Sequence, residues 1–371
     1  MYYYYYLTPT IIISFLISCY VLNRCNILPH LQNSSGRYQH IDGLRGIAAL
    51  LVVCAHSWRI NQVGFINDEV LKANYYYNVN LGAIGVQIFF CITAFLFVGK
   101  ILRNPETNWN SFFISRIKRL VPLYVFFLLL LIAIGATLTS TIDFNFLIQT
   151  MKVSTMGLMG NTYKLTGHNA SDLTSILWTL PFEIKFYIAV PALCVALSTK
   201  RATFISLLVI GIVACLFMYL DEFNAWVYFI IGGLTALVNE KIKMNNAIKF
   251  SLKILFIPVV IALIYSCTIK TQNYGVERFL FMAAFFPVAV LSSTKLLKSK
   301  ALSFMGEISY SVYLLHLLII FIVTSTMRMF LKGVELNEFS ALLVMATICA
   351  CVCFVCAFTF KYIEYPFLRK K

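Results

Sequence analysis

The sequence predicts an all-α, polytopic integral membrane protein with ten core transmembrane helices and a possible extra helix at the N-terminus. Of its 371 residues, 60% are hydrophobic and 12% are charged, whereas soluble domains average about 25% charged residues. The apolar runs last about 20 residues, the length that crosses a bilayer at about 1.5 Å per residue. A membrane β-barrel would instead show short segments in which apolar and polar residues alternate.

Ten apolar runs are predicted to form the core. They cover 43–58, 80–99, 120–138, 177–197, 202–220, 223–239, 251–269, 278–294, 308–330 and 339–360.

An eleventh apolar run lies at 7–22, before the core spans. No basic residue precedes it, so it does not match a secretory signal peptide, and we predict an N-terminal anchor followed by a polar linker at 23–40. The predicted domains are therefore 1–40, the anchor and linker, and 41–371, the membrane domain. Few residues follow the tenth run, so we expect no soluble second domain in this chain.

The net charge of +15 could indicate a nucleic-acid partner, but its distribution favours membrane topology. If alternate loops face the cytoplasm, most of the 30 basic residues lie on that side and most of the 15 acidic residues lie on the other, as the positive-inside rule requires. Arg278 is one of the few basic residues assigned to the outer side. The lipid bilayer is thus a predicted partner, and nucleic acid is not.

The cysteines near the C-terminus raise the question of a metal site. Cys349, Cys351, Cys353 and Cys356 lie on one predicted helix, without a histidine or carboxylate among them. This spacing suits no structural zinc site, so we predict small packing residues and no bound metal.

The longest predicted outer loop covers 139–176 and contains Gly157, Gly160, Gly167 and His168. Two interpretations remain open for it. The loop either only connects two helices or forms part of an outward-facing substrate entrance.

The first core run carries two ionisable residues on one helical face. Arg45 and His56 are eleven positions apart, which is about 20° beyond three full turns and about 16 Å along the axis. They cannot touch each other, but they could contact two ends of one long ligand, and Asp42 can pair with Arg45. The structural alternatives are snorkelling of Arg45 to the cytoplasmic interface and a helix-to-helix hydrogen bond for His56. A histidine is also the side chain best suited to transfer a proton near neutral pH.

Arg116 and Arg119 share a face at the cytoplasmic end of the third run. Paired guanidinium groups suit phosphate binding. The alternative is ordinary positive-inside flanking.

Polar residues also occur in the fourth and ninth runs. Trp178 fits an interfacial aromatic belt. Glu183 is expected inside the membrane boundary, where it serves either a substrate or a structural salt bridge. Tyr313 and His316 are three residues apart and can face one polar interior, with a purely structural hydrogen-bonded histidine as the alternative. Glu364, among cations near the C-terminus, is predicted to be structural.

Six segments together carry a family resemblance: "IDGLRGIAALLVVCAHS", "LGAIGVQIFFCITAFLF", "RIKRLVPLY", "LWTLPFEIKFY", "ISYSVYLLH" and "IEYPF". In this order, over about 41–369, the chain resembles the membrane acyltransferase-3 family, bacterial O-acyltransferases that modify surface polysaccharides. Two departures are Thr93-Ala94, where the family often has Ser-Gly, and Ile184-Lys185 after Glu183.

The resemblance implies an O-acyltransferase in the bacterial inner membrane. It implies transfer of an acyl group, most simply acetyl, from cytoplasmic acyl-CoA to a sugar hydroxyl of a surface polysaccharide or its lipid-linked precursor. It implies no permanently bound cofactor, because acyl-CoA is the donor substrate.

The resemblance also assigns residues. It places catalysis at His56 with Arg45, and donor contacts at Arg45, Arg116 and Arg119. Glu183 is added as a catalytic candidate that orients the acceptor or tunes His56. Trp178, Tyr313 and His316 are candidates for contact with the substrate.

A rival prediction is a polytopic transporter or flippase for a glycan or small solute, because intramembrane Arg, His and Glu also mark transport paths. No internal repeat of the kind common in transporters is visible in the sequence. A third prediction is a glycan-ligase-like or structural membrane protein that uses a different donor.

Overall fold

The computed structural model describes residues 3–31, 38–57, 68–104, 106–138, 142–160, 164–165, 168–169, 171–197, 205, 209, 212–213, 224–269, 273–330 and 337–368. Helices dominate these residues, which confirms the all-α prediction. The helices are α1 Tyr3–Arg24, α2 Gln39–Ala55, α3 Asp68–Arg103, α4 Trp109–Leu138, α5 Phe144–Ser154, α6 Ser171–Thr174, α7 Leu180–Ala196, α8 Tyr228–Lys241, α9 Asn246–Tyr265, α10 Val276–Ser292, α11 Lys300–Glu307, α12 Ser309–Phe330, α13 Glu338–Thr359 and α14 Tyr365–Leu368. Short 3-10 turns occur at Pro29–Leu31, Ser175–Thr179, Ala225–Val227 and Lys295–Lys298, and Phe360–Glu364 form a π-helical turn.

Seven described helical segments are long and apolar enough to cross a membrane. They are Tyr6–Arg24, Tyr77–Arg103, Trp109–Leu138, Ser175–Ala196, Asn246–Tyr265, Ser309–Phe330 and Phe339–Leu368. The first of them contains the predicted N-terminal anchor.

The predicted count of ten core spans is not confirmed. The helices at the predicted spans 43–58, 223–239 and 278–294 have 17, 14 and 17 residues. They are about 21–26 Å long, less than the hydrocarbon core of about 30 Å. The predicted span 202–220 lies almost entirely outside the described residues.

The N-terminal helix packs along the rest of the bundle. Its Phe15 and Cys19 are fully buried, and the Cys19 Sγ atom lies 3.4 Å from the Cys353 Sγ atom of α13. Cys349 and Cys356 are buried beside them. These thiols therefore lie in the apolar core, where cysteine behaves as a small hydrophobic residue.

The segment 139–176, predicted as an outer loop, contains helices and two short strands in its described residues. Asp143 caps α5 by accepting a hydrogen bond from the Phe146 amide at 2.8 Å. The Tyr124 hydroxyl of α4 donates to the Val153 carbonyl at 2.5 Å, which ties α5 to the bundle. Two-residue strands β1 Lys164–Leu165 and β2 His168–Asn169 then pair antiparallel. Gly167 lies outside the described residues, and the two interpretations of this segment remain predictions.

The helix that carries Arg45 and His56 is held by close backbone contacts. A Cβ atom on Gly43 would lie 1.9 Å from the Leu297 carbonyl oxygen, and one on Gly306 would lie 2.0 Å from the Asp42 carbonyl oxygen. On the other side of α2, a Cβ atom on Gly85 of α3 would lie 2.6 Å from the Ala48 carbonyl oxygen. Glycine is required at these positions because no side chain fits, and the contacts fix α2 between α3 and residues 297–306.

Two adjacent glycines of α8 allow a matched test of this close packing. A Cβ atom on Gly232 would lie 1.9 Å from the Cys91 carbonyl oxygen of α3, whereas one on Gly233 would meet only the Val98 Cγ2 atom at 3.6 Å. We expect Gly232→Ala to destabilise the bundle by about 1–3 kcal/mol. We expect Gly233→Ala to be neutral or slightly stabilising, because alanine favours helix more than glycine does. Thermal unfolding of the two purified variants in detergent measures this difference, and equal melting temperatures would contradict the packing.

Candidate functional site

A cavity of about 350 Å³ lies among α2, α3, α4, α7 and α12. Its lining combines arginines, one carboxylate, hydroxyl groups and aromatic rings. The residues are Arg45, Val86, Phe89, Phe90, Ile92, Thr93, Leu96, Phe97, Arg116, Arg119, Leu120, Thr179, Leu180, Glu183, Tyr187, Ser309, Tyr310, Tyr313 and Leu368. The three arginines named from the sequence therefore meet in one space, together with Glu183.

Each arginine of the cavity is held in place by neighbouring side chains. The Arg45 guanidinium lies 4.0 Å from the Asp42 carboxylate, which confirms the predicted local pair. The Arg116 guanidinium lies 5.1 Å from the centre of the Phe97 ring, within the range of a cation–π contact.

The Arg119 guanidinium lies 3.3 Å from the fully buried Glu364 carboxylate. That carboxylate also accepts a hydrogen bond from the Ser311 hydroxyl. Glu364 is thus part of a buried ion pair, in agreement with its predicted structural role. Because a guanidinium has five N–H donors, the Glu364 contact orients Arg119 while other donors remain available to a ligand.

Glu183 lines the cavity, one turn of α7 before Tyr187. The Tyr187 hydroxyl donates a hydrogen bond to the Glu183 carboxylate, and the Tyr187 ring lies 6.0 Å from the Arg116 guanidinium. This location puts Glu183 beside the arginines rather than beside His56. Lys185, on another face of α7, is exposed and lines a separate apolar groove.

Two hydroxyl groups that are in contact with each other line the cavity. The Tyr313 hydroxyl lies 2.6 Å from the Thr179 hydroxyl and donates to the Ile176 carbonyl at 2.7 Å. The Tyr313 ring also meets Phe89 edge-on, with 6.0 Å between ring centres. Tyr313 is thus a cavity residue, as predicted for substrate contact, although its substrate role stays a prediction.

The two predicted histidines are in direct contact. Helix α2 ends at Ala55, so His56 occupies the C-cap position rather than the interior of the predicted 43–58 span. His316 is fully buried on α12, one helical turn beyond Tyr313. Its Nε2 atom lies 3.1 Å from the His56 Nδ1 atom. Neither ring lines the cavity, although Tyr313, one helical turn before His316, does.

Trp178 lies in the 3-10 turn Ser175–Thr179, not among the cavity-lining residues. Its ring packs edge-on against Phe182 and Tyr274, with ring centres 6.0 and 5.6 Å apart. The structure therefore places it in an aromatic cluster, and its predicted contact with substrate stays untested.

A second buried polar group lies near the histidines and was not singled out from the sequence. Arg278, predicted on the outer side of the membrane, is fully buried in the first turn of α10. It donates to the Asn80 side chain at 2.5 Å and to the Ser266 carbonyl at 2.9 Å. Nearby, Asn78 donates to the Ser57 hydroxyl at 3.4 Å. The sequence indicates this buried polar group only through the amide side chains of Asn78 and Asn80 in an apolar helix, because such groups form hydrogen bonds with polar partners at membrane depth.

No group of three or more His, Cys, Asp or Glu side chains suited to a metal ion occurs within the described ranges.

Comparison with known proteins identifies the family. The family described as "acyltransferase domain", acyltransferase-3, matches residues 38–360. The chain belongs to the acyltransferase-3 family. The match includes the segments that carry Arg45, His56, Arg116, Glu183 and His316.

Three relatives illustrate the similarity. A Rhizobium leguminosarum protein named nodulation protein 10 is 29% identical over 176 residues, which are 44% of this chain and 46% of that protein. An Acidianus two-tailed virus protein, provisionally named an acetyltransferase, is 24% identical over 78% of this chain and 86% of its own length. A Staphylococcus aureus protein, provisionally named an O-acetyltransferase, is 24% identical over 77% of this chain and 51% of its own.

The chain thus spans about half the length of the rhizobial and staphylococcal relatives. No solved structure matches it significantly.

The buried Arg119–Glu364 pair can be tested by a double-mutant cycle. Removing either partner leaves a buried charge, so we expect Arg119→Met and Glu364→Gln each to cost about 3–5 kcal/mol of the free energy of unfolding. The double variant should cost much less than the sum. The half-exposed Arg103–Glu240 pair, at 2.5 Å, is the matched control, with an expected coupling below about 1 kcal/mol. Denaturation in mixed micelles measures both cycles, and equal coupling energies would contradict the prediction.

Proposed function

We propose that the protein is an integral membrane O-acyltransferase that transfers an acyl group from cytoplasmic acyl-CoA to a sugar hydroxyl. The observation that supports this most strongly is the arginine-lined cavity, whose lining residue Tyr313 lies one helical turn from the hydrogen-bonded histidine pair. Guanidinium groups suit the phosphates of a coenzyme A donor, and a histidine suits removal of a proton from a hydroxyl. Membership of the acyltransferase-3 family points to the same chemistry.

The donor enters from the cytoplasmic side in this proposal. Arg45, Arg116 and Arg119 neutralise its phosphates near the mouth of the cavity. At about 350 Å³, the cavity is small for a ligand pocket, whose usual range is about 300–1,000 Å³. We therefore place the narrow thioester arm inside it and the nucleotide outside. A rotation of the Tyr313 side chain away from Thr179 would let the thioester reach the histidines.

The transfer itself requires one base. His56 takes the proton of the acceptor hydroxyl as the hydroxyl oxygen forms a bond to the thioester carbonyl carbon. The carbon–sulfur bond then breaks, and the departing thiolate takes the proton from His56. The products are an acyl ester and the free thiol of coenzyme A. In a second route, His56 first accepts the acyl group itself and then passes it to the hydroxyl.

Acetyl is the proposed acyl group, because two of the relatives carry names that refer to acetyl transfer. The proposed acceptor is a surface polysaccharide or its lipid-linked precursor, which reaches His56 from the outer side of a bacterial inner membrane. The seven apolar helical segments support the membrane location.

Substitution of His56 tests the proposed base. We expect His56→Ala to lower acyl transfer by at least about 100-fold, the usual contribution of a general base. The assay supplies membranes with labelled acetyl-CoA and a candidate glycan and measures covalent label on the glycan. His30→Ala is the control, since His30 contacts Glu307 at 3.2 Å and lies outside the cavity lining. A transporter would move its substrate without labelling it, and an inserted His56→Ala protein with full activity would refute the proposal.

Substitution of Arg116 tests the proposed donor site. Arg116 is held by ring contacts and lines the cavity, so Arg116→Gln removes charge without exposing a buried ion-pair partner. We expect the KM for acetyl-CoA to rise about tenfold, equivalent to about 1.4 kcal/mol, while kcat changes less than threefold. Arg103→Gln, outside the cavity, should leave KM unchanged. Equal KM values for both variants would show that Arg116 is not part of the donor site.

A further inference from the structure

The hydrogen bonds of the histidine pair define which ring nitrogen carries each proton. The His316 Nδ1 atom lies 2.9 Å from the Val312 carbonyl oxygen and 2.8 Å from the Tyr313 carbonyl oxygen. Both carbonyl oxygens can only accept hydrogen bonds, so Nδ1 of His316 carries a proton and donates it. In the neutral ring, the Nε2 atom of His316 then holds a lone pair.

The same reasoning extends to His56. Its Nδ1 atom faces the lone pair of His316 Nε2 at 3.1 Å and the Val52 carbonyl oxygen at 2.9 Å. Two acceptors at one nitrogen require a proton there, and the lone pair of neutral His56 is therefore on Nε2. If His316 Nε2 instead donated to His56 Nδ1, His316 would carry protons on both ring nitrogens and would be a cation. That is unfavourable because His316 is fully buried, and burial disfavours the charged form of a histidine.

We propose that His316 is a positioning residue that holds the His56 ring with its lone pair on Nε2 and accepts the Nδ1 hydrogen bond of the imidazolium formed during transfer. This inference rests on the proposed function. It replaces the expected substrate contact of His316 with a role that acts through His56.

The chemistry of the pair supports this role. When His56 Nε2 takes the proton of the acceptor hydroxyl, both of its nitrogens carry protons and the ring becomes positive. The hydrogen bond from Nδ1 to His316 Nε2 then has a charged donor, and such bonds are stronger than neutral ones. His316 thus stabilises the charged intermediate more than the resting state, while remaining neutral. The same orientation serves the route through acyl-His56, because Nε2 would also be the attacking atom.

The scaffold makes the pair rigid. His316 lies among buried residues of α12, and its Nδ1 contacts fix the ring relative to its own helix. His56 is fixed through the Val52 carbonyl and the close packing of α2. A positioning group needs such support, because errors of about an ångström weaken catalysis strongly.

Two substitutions of His316 separate positioning from packing. His316→Leu keeps an apolar side chain in the buried site but removes the acceptor. His316→Gln offers a side-chain oxygen that can accept the His56 hydrogen bond. In labelled-acetyl transfer, we expect kcat to fall about 10–100-fold for His316→Leu and about threefold for His316→Gln. The KM for acetyl-CoA should stay within twofold of wild type for both variants, because the arginine cavity is intact.

The outcomes of this experiment are distinguishable. A His316→Leu protein that melts at the wild-type temperature with unchanged kcat would overturn the positioning role. Equal losses of kcat in both variants would also overturn it, since the acceptor would then be irrelevant. If His56→Ala retains activity, the proposed function fails regardless of His316. If His56→Ala is inactive and His316→Leu is fully active, only this inference fails.

Discussion

The close packing of α2 is the constraint on which the site depends. Glycine at positions 43 and 306 brings the backbone of α2 into contact with residues 297–306, and Gly85 brings α3 onto its opposite side. With both sides fixed, the helix has little freedom to rotate or slide. Arg45 is thereby held at one level of the bundle and His56 at another. A looser helix would tolerate larger residues, but it would not present two polar groups at defined depths.

The polar groups inside the bundle follow a second constraint, the cost of burying charge in an apolar surrounding. Arg119 has Glu364, and Arg45 has Asp42. Arg278 is surrounded by neutral oxygens of Asn80 and Ser266. These contacts restrict the guanidinium groups before any ligand binds, which lowers the entropy lost on binding.

Much of this arrangement could be predicted from the sequence. The apolar runs predicted the helices, and helical periodicity predicted the local Asp42–Arg45 pair. A common face for Arg45 and His56 stays a prediction, because His56 lies at the C-cap of α2 and outside the cavity that Arg45 lines. Periodicity also placed Arg116 and Arg119 on one face, and both line the cavity, because neighbours three apart along a helix depend only on local geometry. Of Tyr313 and His316, only Tyr313 lines it. The apolar run at 7–22 likewise predicted the long apolar helix Tyr6–Arg24.

The contacts between distant segments could not be predicted in this way. The His56–His316 pair joins residues 260 positions apart, and the Arg119–Glu364 pair depends on a π-helical turn at Phe360–Glu364. Helix ends were also misjudged, because an apolar run does not reveal that α2 ends at Ala55. Apolar composition alone does not distinguish short helices such as α8 and α10 from full spans, since burial among longer helices favours the same apolar residues as lipid does.

The separation between the arginines and the histidines has a chemical consequence. An acyl thioester is susceptible to water, and a histidine that opened directly into an aqueous donor cavity could activate water as readily as a sugar hydroxyl. Thr179 and Tyr313, whose hydroxyl groups are in contact, line the cavity with the arginines, whereas His56 and His316 lie outside its lining. In the proposed reaction, Tyr313 moves away from Thr179 before the base meets the thioester. Such an order of events favours transfer over hydrolysis, because water is excluded until the donor fills the path.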